Sequence, residues 1–149
     1  MYASANTESG EVIVGVFSGV NEDADHARAV ASIVAADAAA VERDQPLVCI
    51  LVAQRDTESP PAIWRKRMAD ANRNMQAKQY WFALVSPNPL LRGVLTAINW
   101  MSSVPSHHHY KAVGTLDDAV GWVRAETGQT YPMLETLYES ARQELTQAR

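Results

Sequence analysis

Three consecutive histidines, His107 to His109, are the side chains best suited by type to hold a metal. In an extended segment alternate residues share a face, so His107 and His109 point the same way. Two ligands fall short of the three or four that a tetrahedral site takes from the protein. No cysteine or carboxylate lies close in sequence, and His26 can join them only through folding. The expectation is a solvent-exposed loop with no native metal. The single cysteine, Cys49, stands inside the apolar run LVCILVA. That placement predicts a small buried core residue rather than a nucleophile. Gly15 and Gly19 bracket a turn, but the chain has no G-x-G-x-x-G, no G-K-[ST] and no G-x-S-x-G. With acids scattered as well, no cofactor and no catalytic residue is expected.

Residues that could meet another surface are easier to find. In the helical pattern that follows Pro89, Gly93, Ala97 and Trp100 lie together, opposite the apolar stripe Leu91, Val94, Leu95, Ile98 and Met101. Two small residues beside a large aromatic allow close approach, and Trp is enriched where interfaces draw their energy. Arg92, Thr96 and Asn99 form the neighbouring ridge. A helix of the same domain covering this face is the competing reading. A second surface is the basic face Arg65, Lys66, Arg67, Arg73 and Lys78, opposed nearby only by Asp70. Its ordinary reading is a solvated helix face. Ser59, just ahead of a predicted helix, is either a plain N-cap or a hydroxyl whose phosphate the helix N-terminus would stabilise.

Those residues need elements to position them. Glu11 to Phe17 reads as a strand, and a helix follows from about Asp25 to Arg43, capped by Asn21 or Asp23. Its predicted inner face is Ala27, Val30, Val34, Ala38 and Val41. Asp37 falls inside the apolar stripe and is expected at the edge of a shallow helix, in contact with water. Leu47 to Ala53 is apolar throughout, as suits a strand covered on both sides. A polar loop, Gln54 to Pro61, leads to a helix over Ile63 to Lys78, with Trp64, Met68, Ala71 and Met75 inward. Tyr80 to Val85 is a buried strand, ended by Ser86-Pro87-Asn88-Pro89. Ser102 to His108 is a loop and His109 to Val113 a short fourth strand. Thr115 caps a helix from Leu116 to Glu126, Gly128 ends it, and a last helix follows Pro132. Strand and helix alternate four times, which predicts an α/β fold with a mostly parallel sheet of about four strands and a C-terminal helix.

At 149 residues the chain suits one domain, 11–149, behind a frayed polar leader, 1–10. The formal charge of −4 offers no general attraction for nucleic acid. No run approaches the roughly 18–20 apolar residues of a membrane span. One cysteine excludes an internal disulfide and favours a reducing, cytoplasmic setting.

The stretch Ser86-Pro87-Asn88-Pro89-Leu90-Leu91-Arg92-Gly93-Val94-Leu95, then a short strand and Thr115-Leu116-Asp117-Asp118-Ala119-Val120, resembles the STAS domain. These are the SpoIIAA-like anti-sigma-factor antagonists, grouped with SEC14-like domains. In that family a small-residue-Pro turn leads into a helix of the form VRRVL, and a T-x-E-E-A-L helix start follows. The resemblance covers residues 79–124. It implies a non-enzymatic regulatory domain that docks on partner proteins and is switched by phosphorylation in an Asp-Ser-Ser/Thr-Gly turn. Here the equivalent loop is Asp56-Thr57-Glu58-Ser59-Pro60-Pro61, without an Asp-Ser pair or a glycine. The long alanine-rich helix between the first two strands is a second departure.

Three functions follow as expectations. The first is a STAS-type interaction module docking through Arg92, Gly93, Ala97, Trp100 and the Arg65–Arg73 face onto a protein partner, with a homodimer through the small-residue face as one form of it. The second is binding of a small apolar ligand or lipid, as in SEC14-like relatives, in a cavity of several hundred cubic ångströms (order of magnitude) lined by Trp and Met. The third, an enzyme of flavodoxin-like architecture, lacks its phosphate loop.

Overall fold

The structure is a computed structural model that describes residues 1–101 and 104–148; for residues 95 and 97–101 it describes the helical backbone alone. Ten elements follow in order: β1 (Tyr2–Asn6), β2 (Val12–Phe17), α1 (Asp23–Glu42), β3 (Leu47–Ala53), α2 (Ala62–Arg73), β4 (Tyr80–Val85), α3 (Pro89–Met101), β5 (His108–Val113), α4 (Leu116–Thr127) and α5 (Met133–Gln147). They form an α/β fold around one sheet of order β1-β2-β3-β4-β5. β1 runs antiparallel to β2, and every other neighbouring pair is parallel. Among the described residues no helix is long and apolar enough to cross a membrane.

The apolar runs at β2, β3 and β4 are continuous because both faces of the sheet are covered. Ile13, Cys49, Leu51, Tyr80 and Phe82 pack with Ala29, Ile33 and Ala40 of α1. Val14, Val16, Val48, Ile50, Val52 and Val85 pack with Ala119 and Val123 of α4 and Leu134, Ala141 and Leu145 of α5. Strands laid down in chain order by crossovers of one hand put their helices on one face. α1, α2 and α3 accordingly share a face, and α4 and α5 return over the other.

Five strands replace the four expected, because residues 1–10 are not a frayed leader. Tyr2–Asn6 pairs along β2 from Tyr2 opposite Phe17 to Asn6 opposite Ile13. Tyr2 is buried against Phe17, with ring centroids 4.8 Å apart, and its hydroxyl meets Ser32 Oγ at 2.7 Å. A polar-looking segment thus gains its order from partners far along the chain.

α1 is rotated from its expected setting. Its buried side is Asp25, His26, Ala29, Ile33, Asp37 and Ala40, while Val34 and Val41 are about half exposed. An alanine-rich helix carries several small-residue rows, and Ile33, the largest apolar side chain on it, decides which row turns inward. Its N-cap is Glu22 rather than Asn21 or Asp23, and Asp25 accepts the Glu22 N–H at 3.0 Å. Asp37 is buried, not wet. It accepts the N–H groups of Gln76 at 3.0 Å and Ala77 at 2.8 Å.

The same contact explains the early end of α2. The helix stops at Arg73, with Asn74 as C-cap, and residues 74–79 form the turn that Asp37 holds. Met75 is buried, but in this turn rather than on the helix, and Lys78 stands beside Asp44 at 3.7 Å. α2 starts after Pro61, so Ser59 is an exposed loop residue and not the N-cap. β3 and β4 begin and end where the apolar runs do. α4 has the expected signals, with Thr115 Oγ1 accepting the Asp118 N–H at 3.2 Å and Gly128 left-handed at φ 69°.

Candidate functional site: an aromatic-walled cleft at the strand ends

A parallel sheet leaves its carboxyl ends open between the helix starts, and ligands of open α/β folds bind there. In this chain the C-terminal ends of β2, β3 and β4, covered by α1, α2 and α3, enclose a cleft of about 100 Å3. Its floor is Leu51 and Ala53 of β3 and Phe82 and Leu84 of β4. Val30 of α1, Met68 of α2 and Leu91 and Val94 of α3 close the sides. The β3–α2 loop brings Thr57, Glu58 and Pro60 to the mouth, beside Arg65.

One wall is a row of rings. Phe17 and His26 stand 5.6 Å apart between centroids, and His26 stacks on Trp64 at 5.7 Å with 26° between planes. The row is held from behind. Trp64 Nε1 donates to Asp23 Oδ1 at 2.6 Å, which ties α2 to the start of α1, and the Arg67 guanidinium lies 4.6 Å over the Trp64 ring. Thr57 Oγ1 donates to the Phe17 carbonyl at 3.0 Å and pins the mouth loop to the end of β2. Arg65 Nη1 donates to the Pro60 carbonyl at 2.7 Å.

His26 is the one titratable side chain built into this ring row. It is 7 % exposed. Burial lowers its pKa, against the opposing pull of Asp25 and Asp23, so the ring is neutral at neutral pH. It makes the two ring stacks, and no hydrogen bond to a described residue reaches either nitrogen. Asp25 next to it belongs to a different network. Burial pushes its carboxyl up, but the Glu22 N–H, Arg28 and the Met1 amine together hold it below its usual value. The arrangement can enclose a small apolar group and offer it one neutral hydrogen-bonding ring. Glu58 and Arg65 flank the mouth, and Thr57 already has a partner.

The residues singled out from sequence lie elsewhere for the most part. Arg92 is half buried, and its Nη1 donates to the Ser86 carbonyl at 2.6 Å, bracing the β4–α3 turn. Gly93 and Thr96 are exposed, with the Thr96 hydroxyl on the Arg92 carbonyl at 3.2 Å. The side chains of Ala97, Asn99 and Trp100 lie outside the described residues, as does the small-residue face they were to form. On α2, Asp70 pairs with Lys66 at 3.0 Å and Arg73 at 3.3 Å. Arg65 instead stands at the cleft mouth, where it donates to the Pro60 carbonyl.

The histidine triplet is not a solvent loop. His108 is buried, with Nε2 3.0 Å from the Met75 carbonyl and Nδ1 3.1 Å from the Tyr110 hydroxyl. His109 stacks on Trp81 at 5.3 Å and meets Gln79. Among the described residues no group of three metal-ligating side chains converges. Cys49 is buried, and burial pushes its thiol up to about 12.

Periodicity marked Trp64 and Met68 as inward residues but not the cleft. His26 falls in the first turn of a helix that follows a buried strand, and that position could have marked it. Comparison with family models, with curated proteins and with solved structures finds no match for this chain.

Proposed function

We propose that this chain is a non-enzymatic binding module of the STAS and SEC14-like kind, and that its ligand is a small apolar molecule held in the strand-end cleft. The observation that carries the reading is the cleft itself. Aliphatic and aromatic side chains from three strands and three helices converge where α/β folds take ligands. The volume is smaller than the SEC14-like expectation. At about 100 Å3 it suits a short branched chain, or a single ring that stays partly in the open mouth, rather than a long lipid tail. For scale, an apolar cavity of about 150 Å3 takes benzene. Titration with toluene, followed by amide and methyl NMR, tests it. Shifts should concentrate at Val30, Leu51, Leu84 and Leu91, and Val30→Phe, which fills the cleft from α1, should abolish them. Scattered shifts, or none, would end the proposal.

A second reading, docking of a protein partner, is favoured by one feature. Val20, Ile63 and Leu90 are 68 %, 53 % and 79 % exposed, and they follow β2, β3 and β4 at the same end of the sheet. Ser59 lies exposed in the adjoining loop, where phosphorylation would add charge beside Ile63. A Val20→Ser, Ile63→Ser, Leu90→Ser variant that keeps a partner bound in pull-down would remove this reading.

A further inference from the structure

Apolar shape alone does not say which small molecule the cleft prefers, and the wall carries one polar group that the protein leaves unused. His26 is more than nine-tenths buried and lines the cleft. Its ring faces are taken by Phe17 and Trp64, and neither nitrogen is hydrogen-bonded to a described residue. Every other polar side chain of the cleft is either satisfied within the protein or set at the mouth: Thr57 holds the Phe17 carbonyl and Arg65 the Pro60 carbonyl, while Glu58 is exposed. Among the described residues the fully enclosed side-chain polar atom without a partner is Trp81 Nε1, so the His26 nitrogens keep contact with solvent, and a ligand hydroxyl there takes the place of water.

We propose that His26 is the polar anchor of the cleft and that the ligand is a small uncharged aromatic ring bearing a hydroxyl, of the phenol class. This rests on the small-ligand reading above and narrows it. A neutral imidazole presents one donor and one acceptor, and which nitrogen carries the proton depends on its partner. A hydroxyl both donates and accepts, so it pairs with whichever nitrogen faces the cleft. A carbonyl serves only the donor and an amine cation only the acceptor. The cleft, about 100 Å3, is open at its mouth, so a ring can enter in part and lie in offset or edge contact with the aromatic wall. A charged head is disfavoured on the apolar floor, away from Glu58 and Arg65 at the mouth, because desolvation there is costly.

The experiment compares phenol with toluene, two probes of nearly equal size, by NMR titration of the intact chain near pH 7. Phenol should bind about 5- to 10-fold more tightly, the usual return of one added hydrogen bond. His26→Phe, which keeps a ring in the stack, should bring phenol down to the affinity of toluene and leave toluene unchanged. Equal affinities in the unaltered protein, with both probes in the cleft, overturn the anchor while sparing the small-ligand reading. Failure of both probes overturns both. The phenol-to-toluene ratio is measured in the unaltered protein, so the outcome does not depend on the variant folding. A phenol preference that survives in a folded His26→Phe protein also overturns the assignment.

Discussion

A carboxylate set in an apolar helix stripe needs a partner or it destabilises the fold, and Asp37 has two. It receives the N–H groups of Gln76 and Ala77 and so fixes the turn between α2 and β4. Asp37→Ala leaves both donors without their acceptor. We expect a loss of about 1–3 kcal/mol in denaturant unfolding, with Asp37→Asn losing less because its amide oxygen can still accept one bond. At the same scale, Cys49 is chemically silent for two reasons. It is enclosed, and its thiol is pushed up to about 12, so the reactive thiolate is scarce at neutral pH. Iodoacetamide should leave the native protein unmodified at pH 8 and label it once denaturant unfolds it. Labelling of the folded protein at the rate of a free thiol would contradict that burial.

At the scale of elements, the Tyr2 ring of β1 lies over β2 at one glycine. A Cβ on Gly15 would lie 2.7 Å from Tyr2 Oη, 2.9 Å from Tyr2 Cε2 and 3.0 Å from Leu51 Cδ1. The Tyr2 ring lies across the position because its hydroxyl is held by Ser32 of α1 and its face by Phe17. Gly15→Ala should therefore destabilise the protein by about 1–3 kcal/mol, the usual cost of overpacking. The cost should shrink in a Tyr2→Ala background, measured as a double-mutant cycle. Additive losses would mean that Tyr2 does not occupy the space. The consequence reaches the cleft, since Phe17, which Tyr2 packs against, is the first ring of its wall.

For the whole molecule, the two buried histidines set the response to acid. His26 and His108 both have pKa values lowered by burial, His108 against the raising effect of its bond to the Met75 carbonyl. Near His108 stand the ionisable groups His107, His109, Asp37, Tyr80 and Tyr110. In the unfolded chain these imidazoles titrate near 6.5, so below that pH the unfolded state holds more protons than the folded one. Stability then falls as pH falls, and it is fully present above about pH 6.5. The melting temperature should drop between pH 7 and pH 5. His26→Phe should flatten part of that slope. A melting temperature independent of pH over this range would show that neither ring is neutral and buried. Asp25 acts in a lower window: its carboxyl lies below its usual 3.8, and the stability it adds disappears as pH falls through that region.

Much of the architecture was present in local sequence. Leu47–Ala53 and Tyr80–Val85 are apolar on both faces, and such runs have few alternatives to a strand inside a covered sheet. Pro89 and Thr115 mark helix starts, and Gly128 a helix end, through backbone chemistry that acts within a few residues. What only the folded chain decided are the features that depend on long-range partners. Tyr2–Asn6 becomes a strand because β2 and α1 complete it. Among the small-residue rows of α1, the inner one is chosen by the packing of Ile33 against the sheet. Asp37 is buried because a turn some forty positions along the chain (about that sequence separation) brings it two donors. The cleft gathers Phe17, His26, Trp64, Phe82 and Leu91 from five separate elements. Periodicity tells which side of each element is apolar. Where three such sides stop short of one another and leave a space is fixed by how the helices cross the sheet, which no local pattern records.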